Sequence, residues 1–249
     1  MRFRKFGNER EAPKVSAESL ESWIPKTQLG RRVKAGELTS IDDVLASGKK
    51  ILEPQIVDIL LPDLGQEVLD VRSTQRMTAC GRKQAMQAVV ALGNRRGYVA
   101  VGIGKAPETR DAIAEAVADA KKKIVRVPLG CGSWECGCGA PHSVPIQVSG
   151  SNSSTFITIK PAPRGVGLVA GKTAKKVLAL AGVADAWTFS KGRTRNILNC
   201  VLATIDALSQ LNRLKGSIVK AVAEPEPAVA AEQAEAAGQT GSDTKTAGA

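Results

Sequence analysis

Residues 84–104 read Gln-Ala-Met-Gln-Ala-Val-Val-Ala-Leu-Gly-Asn-Arg-Arg-Gly-Tyr-Val-Ala-Val-Gly-Ile-Gly. The extended runs 84–92 and 98–104 are joined by five residues that begin and end with glycine. This arrangement predicts a β-hairpin with Arg95 and Arg96 at its tip. The two internal glycines of the second strand lie on one face, so another backbone can approach that face closely.

The segments on either side of the hairpin complete a first predicted domain, residues 54–126. The runs 56–60 and 67–76 precede the hairpin and have the pattern of strands. A helix is expected to start at Pro107, because proline is tolerated at the first helical position. Its apolar residues at helical spacing, which should pack on the sheet as an α+β layer pair, are Ile113, Val117, Ala120 and Ile124.

A second, smaller α+β domain is predicted over residues 144–215, after a connector at 127–143 that is rich in glycine and cysteine. Apolar periodicity predicts strands at 144–149, 155–160 and 186–190 and helices at 173–181 and 194–211. The residues expected on the core-facing side of the last helix are Ile197, Val201, Ile205 and Leu208.

The two ends of the chain differ in composition from these domains. Residues 1–53 form a polar extension with an apolar island at 23–25 and one predicted short helix, capped by Ser40 and closed by Gly48. Residues 216–249 are rich in Ala, Glu and Pro. They are predicted to be disordered, because they cannot bury enough apolar surface to offset the loss of chain entropy.

The sequence predicts neither secretion nor a membrane span. The basic start lacks the apolar run of ~7–15 residues that a signal peptide needs, and no segment approaches ~18 consecutive apolar residues. We therefore expect a cytoplasmic protein. Its five cysteines should be reduced, and their odd number argues against a disulfide framework.

The formal net charge of +11 comes from the middle of the chain. Residues 54–215 carry 22 basic and 11 acidic groups, whereas residues 1–53 carry 11 and 8 and residues 216–249 carry 2 and 5. A basic folded body favours a polyanionic partner, because each neutralised phosphate releases condensed counterions. On charge alone, a merely soluble basic protein is an equal alternative.

Residues 165–173, Gly-Val-Gly-Leu-Val-Ala-Gly-Lys-Thr, differ from the phosphate loop of nucleotide hydrolases. That motif needs four residues between its first glycine and the Gly-Lys-Thr, and the candidates here leave five or three. We interpret the segment as a glycine-rich turn before a helix. The exposed N–H groups at the N-terminus of that helix, together with Lys172, Lys175 and Lys176, would suit a backbone phosphate of RNA.

Cys131, Cys136, Cys138 and His142 fall within twelve residues and offer a ligand set for tetrahedral zinc. Their spacing is not one of the common knuckles, because the single residue between Cys136 and Cys138 strains the chelate geometry. A reduced cysteine-rich loop is the alternative, so zinc stays a candidate and no cofactor is assigned. Four protein ligands would close the site and make it structural.

Catalysis has little support in this sequence. The lone histidine follows Pro141 without a paired Ser or Asp, and the few carboxylates of the basic body form no suggestive pair. The arginines are the better lead, since guanidinium geometry suits phosphate oxygens, although an ordinary solvated face is the alternative. The basic run around the hairpin consists of Arg72, Arg76, Arg82, Lys83, Arg95, Arg96 and Lys105.

Several stretches resemble the ribosomal protein S5 family. Residues 97–107, Gly-Tyr-Val-Ala-Val-Gly-Ile-Gly-Lys-Ala-Pro, resemble its double-stranded-RNA-binding-like N-terminal domain. Residues 160–170, Lys-Pro-Ala-Pro-Arg-Gly-Val-Gly-Leu-Val-Ala, resemble its C-terminal domain. The segments 23–31 and 141–145 are similar to the archaeal and eukaryotic branch, and the resemblance as a whole covers residues 20–212.

The resemblance implies a three-stranded sheet plus helix, followed by a small α+β domain, in a structural constituent of the small ribosomal subunit without catalytic activity. It also implies a place near the decoding region and the mRNA entrance, beside ribosomal proteins S4 and S3, and a part in translational accuracy. The alternatives are a free RNA chaperone or translation regulator and, less favoured, a small metal-dependent enzyme. The residues expected to bind rRNA are Arg31, Arg32, Arg76, Arg82, Lys83, Arg95, Arg96, Lys105, Arg164, Lys172, Lys175, Arg193 and Arg195.

Overall fold

The computed structural model describes residues 23–213, which form two four-stranded sheets with helices packed on them, the α+β class that the sequence predicts. The helices are α1 (Gln28–Lys34), α2 (Ile41–Ala46), α3 (Gln55–Leu60), α4 (Thr109–Lys121), α5 (Lys172–Ala181) and α6 (Ile197–Gln210). The strands are β1 (Gly65–Thr78), β2 (Gly81–Gly93), β3 (Tyr98–Ala106), β4 (Val125–Arg126), β5 (Val148–Asn152), β6 (Thr155–Pro161), β7 (Leu168–Val169) and β8 (Ala186–Gly192). The basic start of the chain and the tail predicted to be disordered, 216–249, lie outside the described residues.

The first sheet has the order β1-β2-β3-β4 and is antiparallel throughout. The predicted hairpin is confirmed as β2 and β3, and β4 is a two-residue edge strand beyond the three expected. Because β3 pairs with β2 only from Met86 to Gly93, the far ends of β1 and β2 continue without a third strand. We call residues 72–85 the basic ribbon.

Both faces of β2 are buried, since its apolar residues alternate between two cores. Ala88, Val90 and Leu92 face a core shared with α4 and the helices of residues 23–60. Val89 and Ala91 face the opposite core, which is built mainly from α5, α6 and the second sheet. The first sheet is therefore the central layer of the described molecule.

The predicted inward stripe of α4 is only partly correct. Ile113 and Val117 are half-buried, and the residues with no exposed surface are Ala112, Ala116 and Ala120. The cause lies in the sheet: a Cβ added at Gly102 would come within 2.1 Å of the Ala116 carbonyl oxygen. The strand glycines thus bring α4 so close that only alanine fits between the two backbones.

The second sheet has the same close contact between strand glycine and helix alanine. Its order is β5-β6-β8-β7, with β7 parallel to β8, and α6 packs on one face. A Cβ added at Gly150 would lie 2.2 Å from the Ala203 carbonyl oxygen, so Ala203 and Ala207 are buried. Ile197 and Ile205, which were expected on the core-facing side, are only partly buried.

Two predicted strands are corrected by the structure. The run 56–60 is helix α3, in which Ile56 and Val57 are fully buried; a short apolar run fits either element, and here Pro54 caps a helix. The strand expected at 144–149 starts later, at Val148. The short helix α2 is confirmed, with the Ser40 hydroxyl accepting the N–H of Asp43 at 3.2 Å.

None of the helices described between residues 23 and 213 combines the length and the apolar character that crossing a membrane requires.

Candidate nucleic-acid interface

Three arginines converge on an open cleft with a volume of about 350 Å³. Arg72 comes from the base of the basic ribbon, and Arg193 and Arg195 come from the turn between β8 and α6. Asp70, Asn196 and Ile197 complete the lining. The cleft therefore joins the first sheet to the second, and its charge is predominantly positive.

Hydrogen bonds fix part of each wall of this cleft. The Arg72 guanidinium donates two hydrogen bonds, of 3.2 and 3.1 Å, to Oε1 of the buried Gln87. In the other wall the Arg193 N–H donates to the Ser154 carbonyl at 3.2 Å. Gly192 has φ +87°, and a Cβ at this position would collide with the same carbonyl, so both features require glycine. The exposed guanidinium groups of Arg193 and Arg195 are thus presented by a rigid turn.

The basic ribbon carries further positive charge away from the cleft. Arg76 pairs in register with Lys83, so both lie on the face that also holds Arg72, while Arg82 points to the other face beside Met77. All of these side chains are exposed, Met77 by 73%. A two-stranded ribbon has little stability of its own. The basic ribbon is therefore suited to lie on a larger partner that supports it.

The hairpin tip lies between the two sheets rather than projecting freely. The Arg95 N–H donates to the Leu180 carbonyl and the Gly97 N–H to the Ala181 carbonyl, both at 2.9 Å. Arg95 has φ +58°, and Gly182 touches its carbonyl oxygen so closely that a Cβ would lie 2.3 Å away. The backbone of the tip is therefore docked on the end of α5, although the side chains of Arg95 and Arg96 stay exposed.

The turn before α5 binds a carboxylate of the chain itself. We call residues 163–167 the glycine-rich loop. The N–H groups of Gly165 and Gly167 donate to Oδ1 of Asp185, at 3.1 and 2.7 Å. The phosphate contact expected at the helix N-terminus concerns a different place, the start of α5 after Gly171, and stays a prediction. Arg164, Lys172 and Lys175 are exposed around the loop, whereas Lys176 forms an ion pair with Glu67.

The remaining candidates lie apart from the cleft. Arg31 and Arg32 are exposed on α1, which packs in the core on the far face of the first sheet, and Arg32 pairs with Glu37 at 3.2 Å. Lys105 is exposed near the end of β3, where its N–H donates to Glu115. The structure thus brings Arg193 and Arg195 together with Arg72, and it leaves Arg31, Arg32 and Lys105 elsewhere.

The connector folds the four predicted metal ligands into one cluster. The antiparallel bridge between Gly130 and Ser143 closes the loop at its ends. The sulfur and ring-nitrogen atoms that could bind a metal all lie within 4.8 Å of one another, and the members are Cys131, Cys136, Cys138 and His142. We call this set the cysteine cluster.

Electrostatics within the cysteine cluster favour a thiolate. Cys136 Sγ lies 3.1 Å from Cys138 Sγ and 3.7 Å from His142 Nε2, and all the cysteines are free thiols. The hydrogen bond with the Cys138 side chain, followed by the backbone N–H of Arg164, lowers the pKa of the Cys136 thiol to about 6. Burial raises the pKa of Cys131 in the same cluster.

Sequence reasoning missed Asp185, which is 5% exposed and lies next to the cysteine cluster. Its Oδ2 is 2.9 Å from His142 Nδ1, so the carboxylate accepts the ring N–H and leaves Nε2 facing the sulfurs. Asp185 is 43 residues from His142 along the chain. The available signal was an acidic residue between the buried apolar positions Val183 and Ala186.

Comparison with known protein families finds two matches, separated by residues 129–149. Residues 64–128 match the family model of the ribosomal protein S5 N-terminal domain, and residues 150–222 match that of the ribosomal protein S5 C-terminal domain. The first match covers β1 to β4 with α4, and the second covers the second sheet with α5 and α6.

Curated relatives extend the similarity over most of the chain. A protein of Methanocaldococcus jannaschii is 55% identical over 194 residues, covering 78% of this chain and 89% of the relative. A protein of Methanoregula boonei is 52% identical over 193 residues, covering 78% and 94%. A protein of Pyrobaculum arsenaticum is 53% identical over 194 residues, covering 78% and 96%. All three are named small ribosomal subunit protein uS5.

Proposed function

The chain belongs to the ribosomal protein S5 family, and from this premise we propose that it holds rRNA near the decoding region of the small ribosomal subunit. Members of this family are structural constituents of the small subunit and not enzymes. Their place is the cytoplasmic ribosome, where they bind rRNA. The finer proposal concerns which surfaces of this chain make the contacts and what they achieve.

The convergence of Arg72, Arg193 and Arg195 on one cleft is the observation that carries the proposal. Guanidinium groups suit phosphate oxygens, because their planar fork is pre-organised and less side-chain freedom is lost per hydrogen bond. The proposal divides the chain into domains at 54–126 and 144–215, each of which supplies one wall of the cleft. The basic ribbon would continue the rRNA contact through Arg76, Arg82 and Lys83.

The other exposed cations would contact rRNA at places further from the cleft. Arg164, Lys172 and Lys175 would contact a second rRNA segment beside the glycine-rich loop, and Arg95 and Arg96 would do so at the joint between the sheets. Arg31, Arg32 and Lys105 would form outlying contacts. Because these groups meet phosphates rather than bases, they position the RNA and carry little sequence preference.

Protein neighbours and translational accuracy follow from the resemblance to the family. We place the chain beside ribosomal proteins S4 and S3 at the mRNA entrance, with the boundary to S4 acting on the closing equilibrium of the small subunit. A boundary that stabilises one of two states shifts their populations by its differential free energy. Substitutions at that boundary should therefore change miscoding.

The proposed cleft can be tested by charge reversal. Arg193→Glu together with Arg195→Glu should weaken binding to small-subunit rRNA and flatten the salt dependence by about one unit of slope per lost phosphate contact. The matched control is Lys49→Glu with Lys50→Glu, since both lysines are adjacent and exposed in a loop of the far core. Equal salt slopes for the two double variants would remove the cleft from the proposal.

Sedimentation separates this function from a free RNA chaperone or translation regulator. Small subunits should retain the chain in a one-to-one ratio after a high-salt wash on a sucrose gradient. A chain that leaves the subunits in this wash, yet still binds RNA, would favour the free chaperone or regulator.

We further propose that the cysteine cluster binds one structural Zn²⁺. Three thiols and an imidazole are a common zinc set, and two sulfurs on one tetrahedral ion lie about 3.8 Å apart for Zn–S bonds of about 2.3 Å. The four ligand atoms already lie within 4.8 Å of one another, so small side-chain rotations complete the site. Four protein ligands leave no open position for substrate, which agrees with a non-enzymatic family.

Zinc content of matched cysteine variants tests the metal site. The wild-type chain and Cys80→Ser should hold one zinc ion per chain, because Cys80 is an exposed thiol on the ribbon outside the cluster. Cys138→Ser should weaken zinc binding by at least about tenfold, since even outer partners of a ligand contribute that much. Equal zinc affinity in all three proteins, measured by competition with a chelator, would contradict the site.

A further inference from the structure

We infer that Asp185 couples the cysteine cluster to the glycine-rich loop, so that zinc binding fixes the backbone that carries Arg164. This inference rests on the proposed zinc site and deepens it, because it gives the metal a role beyond closing the connector. Asp185 is a positioning residue, since it would touch neither the metal nor RNA.

The first step is the division of the Asp185 carboxylate between two partners. Oδ2 accepts the Nδ1–H of His142 at 2.9 Å, and Oδ1 accepts the N–H groups of Gly165 and Gly167. The carboxylate is 5% exposed, so these bonds replace water on both of its oxygens. A movement of the imidazole therefore shifts the carboxylate and, through it, the backbone of the glycine-rich loop.

The second step is the set of parallel links between the same two segments. The Ser143 hydroxyl donates to the Asp185 carbonyl at 2.6 Å and accepts the Ala162 N–H at 3.2 Å. The N–H of Asp185 donates to the His142 carbonyl at 3.1 Å. Connector, loop and the start of β8 thus meet around one carboxylate.

The third step is the direction of the coupling. A metal on Nε2 withdraws electron density from the ring, so the Nδ1–H becomes a stronger donor and holds the carboxylate more firmly. The loop needs this support, because Gly165 and Gly167 have φ of +94° and +72° and a Cβ at either would meet no heavy atom within 4 Å. With few packing contacts at these positions, hydrogen bonds to Asp185 hold the loop backbone.

Amide hydrogen exchange of the full-length chain tests the inference with and without zinc. The wild-type protein is compared as purified, after chelation, and after zinc is added back, with metal content measured on each sample. Zinc should slow exchange at Gly165 and Gly167 by at least tenfold. If zinc binds in a one-to-one ratio and exchange at these glycines does not change, the coupling is wrong and the metal site stands. If no zinc binds, both proposals fail.

The variant Asp185→Asn separates the carboxylate from the metal. The amide nitrogen of Asn would face His142 Nδ1, and both groups would then be hydrogen-bond donors. The ring proton therefore moves to Nε2, and a protonated Nε2 cannot bind metal. The expected result is weaker Co²⁺ binding, a Co²⁺ absorption spectrum that indicates a lost nitrogen ligand, and loop exchange that no longer responds to metal. Asp206→Asn is the matched control, because Asp206 accepts the Ser151 N–H at 3.1 Å on the far edge of the second sheet. A response of Asp185→Asn equal to that of the control would overturn the inference.

Discussion

The two sheets use the same packing device in different surroundings. In each, glycine on a strand faces alanine on a helix, so that the two backbones nearly touch. The first sheet is then buried on both faces, whereas the second presents one face with Phe156 and Phe189 exposed by 53% and 55%. A close contact between a strand and a helix therefore does not determine whether one face of the sheet or both faces are buried. The two sheets should differ in how easily they shift. The first sheet is packed on both faces and cannot move away from an added atom, whereas the second sheet has an open face.

The largest effect should come from filling the two close approaches. Gly102→Ser should lower the free energy of unfolding by about 3 kcal/mol and Gly150→Ser by about half as much, because the outer face of the second sheet is open and that sheet can shift away from α6. Urea denaturation followed by circular dichroism measures both values. Gly171→Ser is the control, since that position is open and is the helix N-cap, where serine is favoured. Equal losses at Gly102 and Gly150 would show that the two surroundings do not differ.

A smaller effect is expected at the bond that ties the first sheet to α2. The Tyr98 hydroxyl donates to Oδ1 of Asp42 at 2.7 Å, and burial, followed by this hydrogen bond, raises the pKa of Tyr98. Tyr98→Phe should therefore lower the free energy of unfolding at neutral pH by about 1.5 kcal/mol.

The pH dependence of the same variant has a definite sign. A pKa raised by folding gives stability that is fully present below the unfolded value of about 10 and is lost as pH rises through the folded value. The wild-type protein should lose more stability than Tyr98→Phe between pH 9 and pH 11. Parallel curves for the two proteins would show that this hydroxyl does not contribute.

The smallest effect is expected on the open face of the second sheet. Lys160 Nζ lies 5.0 Å from the centre of the Phe189 ring, a partly exposed cation–π contact. Lys160→Ala should change the unfolding free energy by no more than about 0.5–1 kcal/mol. Val101→Ala, in the core that β3 shares with the second sheet, should cost about 2 kcal/mol as the buried reference. A larger loss from Lys160→Ala than from Val101→Ala would mean that the open face contributes to the core after all.

The sequence predicted the elements better than it predicted their inner faces. The hairpin of β2 and β3 followed from extended runs around glycine, and α4 and α6 followed from their length and period. The buried sides of these helices were predicted only in part: Ala120, Val201 and Leu208 are buried as expected, whereas the neighbouring Ile and Val positions are half-buried. Ile and Val are the usual inward residues, and the strand glycines that admit alanine instead lie in a distant part of the chain. Helix α3 was mistaken for a strand, since six residues contain too little periodicity to separate the two.

Local sequence patterns identified parts of the candidate site, but they could not show which distant residues come together in the fold. The cysteine cluster could be named from its residue types, although spacing alone argued against it. Arg72 and Arg193 are far apart in sequence, so charge alone could not place them in one cleft. The same holds for Asp185, whose role depends on a turn that brings it back to His142. The identity of the rRNA contacts stays a prediction.

The docking of the hairpin tip on the end of α5 determines which positions there can be substituted freely. Both hydrogen bonds at this joint, from Arg95 to Leu180 and from Gly97 to Ala181, run between main-chain atoms. The joint requires glycine at position 182 and uses the Asn94 side chain, which accepts the N–H groups of Arg96 and Tyr98, but it uses no side-chain atom of Arg95 or Arg96. The outward side chain at Arg96 can therefore be exchanged to suit a different RNA surface without breaking either main-chain hydrogen bond.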